Sequence, residues 1–130
     1  MSEESIFVFG SNLSGRHGRG AAAYAREHYG AVSGKGVGLQ GTSYAIPTKD
    51  HALRGLPLDQ IAHYVQRFIE FANEHTEMTF QITRVGCGMA GYSDKQMAPL
   101  FEEVPKNCKL PDEWKPFLQA GKNGKNDGKK

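Results

Sequence analysis

The chain has 130 residues, with 16 Lys and Arg against 14 Asp and Glu, for a formal net charge of +2. Residues 121–130 hold four Lys and one Asp, so the body from 1 to 120 carries −1; this argues against a broad phosphate-tracking surface for DNA or RNA. No stretch approaches the roughly 20 apolar residues of a membrane span, and Cys87 and Cys108 make neither a disulfide framework nor a zinc set.

Glu3 and Glu4 stand ahead of the first apolar run, the wrong charge sign for a secretory signal, so a cytoplasmic protein is expected. Ile6-Phe7-Val8-Phe9 is continuously apolar, as in a strand covered on both faces. It meets turn chemistry at Gly10-Ser11-Asn12, followed by further glycines at 15, 18 and 20. Ala21 to Tyr29 then predicts a helix closed by Gly30. Residues 31–42 hold four glycines, too many for a regular element. Ser43 to Ile46 predicts a second strand halted by Pro47.

The longest helix starts near Pro57, with Asp59 at the positive end of its dipole. Ile61, Tyr64, Val65, Phe68, Phe71 and Ala72 recur along one face, as in a helix packed on a sheet. A strand is predicted over 78–85, running into Gly86-Cys87-Gly88-Met89-Ala90-Gly91, and a short helix begins after Ser93. Trp114, Phe117 and Leu118 are expected to fold back over the core. Residues 121–130 lack any apolar anchor and read as a disordered basic tail.

Strands separated by helices imply parallel pairing with right-handed crossovers. The expectation is therefore a single α/β domain over 1–120: a small three-layer α/β/α unit with a mostly parallel sheet. Ligands of such sheets sit beyond the carboxyl ends of the strands. Three segments would gather there: Gly10-Ser11-Asn12, Pro47-Thr48-Lys49-Asp50, and Gly86 to Gly91 with Tyr92.

Glycines at 86, 88 and 91 let backbone N–H groups approach an anion, unless the turn uses them for packing alone. Arg16 and Arg19 offer planar forks for phosphate, or form a solvated basic loop. His17, in the same loop as Gly15 and Gly18, is a candidate acid or base. Asn12 bonds a ribose hydroxyl or a base edge, or closes its own turn; Thr48, Lys49 and Asp50 add a hydroxyl, a cation and a carboxylate, Asp50 being a ribose-ligand or general-base candidate or a surface turn. Cys87 is read as a small buried residue rather than a nucleophile. No metal-ligand spacing links the histidines, and no cofactor is expected.

Phe9-Gly10-Ser11-Asn12 with its glycine loop, Ser43 to Thr48, and Val85 to Tyr92 together resemble a small family of uncharacterised phage and prophage proteins. More distantly, their order is similar to the macro domain, which binds ADP-ribose. That resemblance implies a macro domain-like fold, with Asn12, Gly15 to Gly20, and Gly86 to Gly91 with Tyr92 around the ligand. This chain is shorter than most macro domains and has Arg16-His17 where many have glycines.

The expected function is binding of ADP-ribose or a related nucleotide or diphosphate, in a phage setting sequestering a nucleotide defence signal in the host cytoplasm. The ligand would meet Gly10, Ser11, Asn12, Gly15, Arg16, His17, Gly18, Thr48 and residues 86–92, that is Gly86, Cys87, Gly88, Met89, Ala90, Gly91 and Tyr92. One alternative is a hydrolase of an ADP-ribose derivative using Asn12, His17 or Asp50. Another is a protein-interaction module without a ligand. Self-association is left open by the sequence.

Overall fold

A computed structural model describes residues 5–118, so the expected tail at 121–130 and the pair Glu3–Glu4 lie outside the described residues. In chain order the elements are β1 (Ser5–Asn12), α1 (Gly20–His28), β2 (Gly38–Gln40), β3 (Ser43–Lys49), α2 (Leu58–Glu74), β4 (Thr79–Ile82), α3 (Asp94–Met97) and β5 (Cys108–Lys109). Short 3-10 turns follow α3 at Ala98–Phe101 and close the described chain at Asp112–Phe117. The strands form one sheet in the order β2-β3-β1-β4-β5. Only β2 is antiparallel; β1 pairs in parallel with both β3 and β4, and β4 with β5.

The continuous apolar run of β1 is explained by two cores. Ile6 and Val8 point into one, with Tyr44 and Ile46 of β3, Ile61, Val65, Phe68 and Ile69 of α2, and the fully buried Trp114. Phe7 and Phe9 point to the opposite face, where Phe9 packs with Ala45 and with Ala22 and Ala25 of α1. A strand with period-two side chains must be apolar at every position when both faces are covered. The face of α1 turned to the sheet is built of small residues, Ala22 and Ala25, whereas that of α2 carries Ile61, Val65, Phe68 and Ile69. The expected α/β/α layering with a mostly parallel sheet is what forms.

Four details depart from expectation. The glycine-rich stretch before Ser43 does build a strand: β2 forms a tight hairpin with β3, turning at Gly41 with φ +61°. Pro47 does not halt β3, which continues to Lys49. The pairing of β2 ends at Ala45, so Pro47 lies on a stretch of β3 that has lost its outer neighbour and its missing N–H costs no ladder bond. The expected strand over 78–85 is shorter, because Thr83 directs both its N–H (3.0 Å) and its hydroxyl (2.8 Å) onto the Val8 carbonyl. Val85 N–H then closes a three-residue turn on Thr83 O at 2.7 Å, taking the chain out of the sheet. Phe117 stays exposed while Trp114 carries the cover over the core.

The helix termini follow their sequence signals. Gly30 adopts φ +76° just past α1, and Ala31 N–H reaches back to Ala25 O at 3.2 Å. Ser93 and Gln96 form a reciprocal capping box at the start of α3.

Candidate functional site

The parallel arrangement of β3, β1 and β4 sends their carboxyl ends to one edge of the sheet, and the three segments meet there. Gly10 sits between the other two so closely that a Cβ would lie 3.4 Å from Gly86 N and 3.6 Å from Thr48 Oγ1. Beyond this junction opens a cleft of about 710 Å³.

Of the residues singled out by sequence, Gly10, Ser11, Asn12, Arg16, Gly18 and Thr48 line this cleft. So do Gly86, Cys87, Gly88, Met89 and Ala90. Gly15, His17, Asp50, Gly91 and Tyr92 are not part of its wall.

Each of those five has another task. Gly15, at φ +72°, is pressed against the 34–35 peptide, where a Cβ would meet backbone at 2.3 Å. His17 is 1% exposed and packs edge-on against Phe9. Its Nε2 lies 3.0 Å from Lys35 O and 3.3 Å from Gln40 Oε1, two acceptors, so Nε2 carries the proton and donates. Its Nδ1 is buried without a partner among the described residues. Asp50 accepts from Ala52 N–H and Arg54 N–H, both at 2.9 Å, and pins a turn. Arg54 N–H is the main cause that holds the Asp50 carboxyl below its ordinary pKa. Gly91 N–H bonds Gly88 O, and Tyr92 donates its hydroxyl to Leu56 O, joining the 86–92 loop to the segment after β3.

Asn12 lines the cleft, but its side chain is turned onto the loop that follows. Nδ2 donates to Arg16 O (2.9 Å) and Oδ1 accepts from Arg16 N–H (3.0 Å). Its amide therefore shapes the loop. The three candidate catalytic residues, Asn12, His17 and Asp50, are thus all engaged in local architecture, and the geometry does not bring them together around the cleft.

The charge of the cleft is one-sided. Among the described residues, four cationic ones line it, Arg16, Arg19, Lys49 and Arg84, and no carboxylate does. Arg84 is committed: Nε and Nη2 donate to the two oxygens of Asp94 at 2.9 and 2.7 Å. Trp114 Nε1 donates to the same carboxylate at 2.8 Å. Chiefly through the Arg84 contact, the Asp94 carboxyl is held down to about 2. Arg16, Arg19 and Lys49 form no ion pair with any carboxylate among the described residues.

Backbone donors add to this field. The N–H groups of Gly20, Ala21 and Ala22 precede the first bond of α1, Ala23 N–H to Arg19 O at 3.2 Å, and no side chain caps them. All three residues line the cleft. Elsewhere in the same wall, Gly88, Met89 and Ala90 N–H have no acceptor among the described residues. An uncapped helix N-terminus and unbonded glycine-loop amides lining one cleft suit an oxyanion.

Cys87 is a poor nucleophile here. Burial, with Asp94 nearby, pushes its thiol up to about 11. No group of three or more metal-ligating side chains exists among the described residues, and no helix among them is long and apolar enough to cross a membrane.

Sequence reasoning brought Lys49 to the rim and Arg84 to the strand that enters the 86–91 loop, but it placed neither Leu53 nor the first turn of α1 in the site. The helix start was detectable, since Arg19 and Gly20 before the alanine run offer no side-chain acceptor to cap it. Nothing local marks Leu53, whose backbone takes φ +66°. No protein-family model matches the chain, and no curated protein or solved structure compared with it matches either.

Proposed function

We propose that this protein binds a nucleotide-type ligand carrying a diphosphate, such as ADP-ribose, at the carboxyl-end rim of its sheet. The observation that carries this reading is the charge asymmetry of the cleft: three cationic residues without an ion pair, no carboxylate in the wall among the described residues, and an uncapped helix N-terminus opening into it. In a space with low-dielectric walls, such a field raises the local concentration of anions and orients them. The volume of about 710 Å³ is within the range of small-molecule pockets, and too large for a single phosphate alone.

In this reading the diphosphate lies between the first turn of α1 and the 86–90 loop, taking backbone N–H groups from both sides. Arg16 and Arg19 approach from the loop before α1 and Lys49 from the end of β3. The resemblance of the same segments to phage-encoded proteins and to macro domains agrees in kind, and suggests sequestration of a nucleotide signal of host defence as the biological use.

Calorimetry against ADP-ribose, NAD and cyclic nucleotides tests the reading. Binding that weakens about tenfold in Arg16→Ala and again in Arg19→Ala is expected from lost charge-assisted contacts of about 1.5 kcal/mol each. Absence of heat with every one of these ligands overturns it.

A further inference from the structure

Leu53 is the one non-glycine residue with positive φ among the described residues, at +66°. Leucine in this region sets its Cβ against its own carbonyl, and such strain persists only where the surroundings enforce it. Here they do. Leu53 N–H bonds Asp50 O at 3.0 Å, and Asp50 N–H bonds Arg54 O at 2.7 Å. The Asp50 carboxylate then takes Ala52 N–H and Arg54 N–H from inside the same turn. The turn is anchored at its base by the bridge from Lys49 to Gly55 and by Leu56 N–H on Thr48 O at 2.9 Å.

The strained residue is not held for the sake of the core. Leu53 remains 40% exposed and stands in the wall of the cleft. A second exposed apolar side chain, Met89 at 63%, stands in the same wall. The two come from adjoining loops: a Cβ on Gly55 would lie 3.0 Å from Ala90 O, and Tyr92 donates to Leu56 O. Apolar side chains held in water at the mouth of a cationic cleft gain from a ligand that has an apolar face as well as an anion. A thioether and a branched alkyl group suit a flat aromatic heterocycle, since methionine sulfur packs well against ring edges and faces.

We infer that Leu53 and Met89 form a ledge for the base of a nucleoside diphosphate, with Asp50 as the positioning residue that holds Leu53 in place. The inference rests on the anion-binding reading above and gives the ligand a direction. The phosphates point to the first turn of α1 and the 88–90 amides, and the base lies over Leu53 and Met89.

The test compares inorganic pyrophosphate with ADP by calorimetry, on wild type, Leu53→Gly, Leu53→Asn and Met89→Ala. The expected result is tighter binding of ADP than of pyrophosphate by wild type. That excess falls by about tenfold in each variant, the size of one apolar contact in a pocket, while pyrophosphate binding, which draws on cations and backbone N–H groups that all three variants keep, holds. Glycine and asparagine accept positive φ, so both Leu53 variants are expected to fold with Tm unchanged or raised. A fall in Tm in both would mean that Leu53 packs in the free protein, and would overturn the ledge. Equal binding of ADP and pyrophosphate by wild type, or an ADP excess that survives all three variants, overturns the ledge and leaves the anion site standing. If neither probe binds, the anion site and the ledge fall together. Asp50→Ala is expected to copy the Leu53 variants for ADP against pyrophosphate, and Asp50→Asn, which keeps an acceptor for the turn, to restore the difference.

Discussion

The side-chain amide of Asn12 clamps the backbone of Arg16 from both sides, donating to its carbonyl at 2.9 Å and accepting from its N–H at 3.0 Å. Asn12 is 4% exposed while Arg16 is exposed, so both bonds are partly shielded from water. Asn12→Ala leaves two backbone groups without partners and is expected to cost about 1–3 kcal/mol in urea denaturation. Ligand affinity should fall in parallel, because the loop bearing Arg16 loses its anchor. An Asn12→Ala protein of unchanged stability but lost affinity would instead assign the amide to direct ligand contact.

Two glycine classes surround the cleft, and substitution separates them. A Cβ at Gly36 would lie 2.1 Å from Asn12 O, and one at Gly15 would lie 2.3 Å from the Gly34–Lys35 peptide. Alanine at either position forces the 12–17 loop off the 34–36 segment, with an expected loss of about 3 kcal/mol or more. Gly88 has nothing within 4 Å of the same position and faces the cleft. Gly88→Val should change stability by less than about 1 kcal/mol, as an exposed substitution does, while obstructing the phosphate position. Paired denaturation and calorimetry on the three variants check the division.

The Arg84–Asp94–Trp114 contact makes a pH prediction. Asp94 is held down to about 2 in the folded protein, below the usual value near 4 in the unfolded chain. A group shifted in this direction stabilises the fold fully above the unfolded value and loses that contribution as pH falls through the folded one. Wild-type stability should therefore decline between about pH 4 and pH 2 more steeply than that of Asp94→Asn. At neutral pH the variant should be the less stable of the two, since Arg84 and the buried Trp114 both lose a charged acceptor. Tm measured against pH for both proteins tests this, and coincident slopes would contradict it.

Both thiols are expected to be slow towards alkylation at neutral pH. Burial raises Cys87 to about 11 and Cys108 to about 12, leaving each protonated well above pH 8. Iodoacetamide labelling followed by mass spectrometry should be slow for both at pH 7, and Cys87→Ala should retain ligand binding. Rapid labelling of Cys87 under native conditions would show a thiolate that this geometry does not provide.

Much of this architecture was legible from local pattern. The unbroken apolar run of Ile6 to Phe9 identified a strand covered on both faces, and the spacing from Ile61 to Ala72 identified the helix lying over one of them. Strand–helix alternation implied parallel pairing, and parallel pairing alone brings Asn12, Thr48 and Gly86 to one rim. These features repeat within a few residues, so backbone geometry and apolar periodicity are enough to determine them. Short elements were harder to read. The three-residue β2 is held by its hairpin with β3 rather than by its own composition, and Pro47 is tolerated because the neighbouring strand has already ended.

The destination of individual polar side chains was decided by contacts distant in the chain. His17 stands in a loop of arginines and glycines, the setting of an exposed catalytic group, yet Lys35 O and Gln40 Oε1 draw it into the second core beside Phe9. Asp50 carries a carboxylate that a sequence offers to solvent or substrate alike, and the turn it closes spends that carboxylate on Ala52 and Arg54. Leu53 acquires its positive φ from the same turn. A buried hydrogen bond forms only when donor and acceptor are both removed from water at the right distance. Sequence therefore determined where the rim would be, and folding determined which of its residues remain free to meet a ligand.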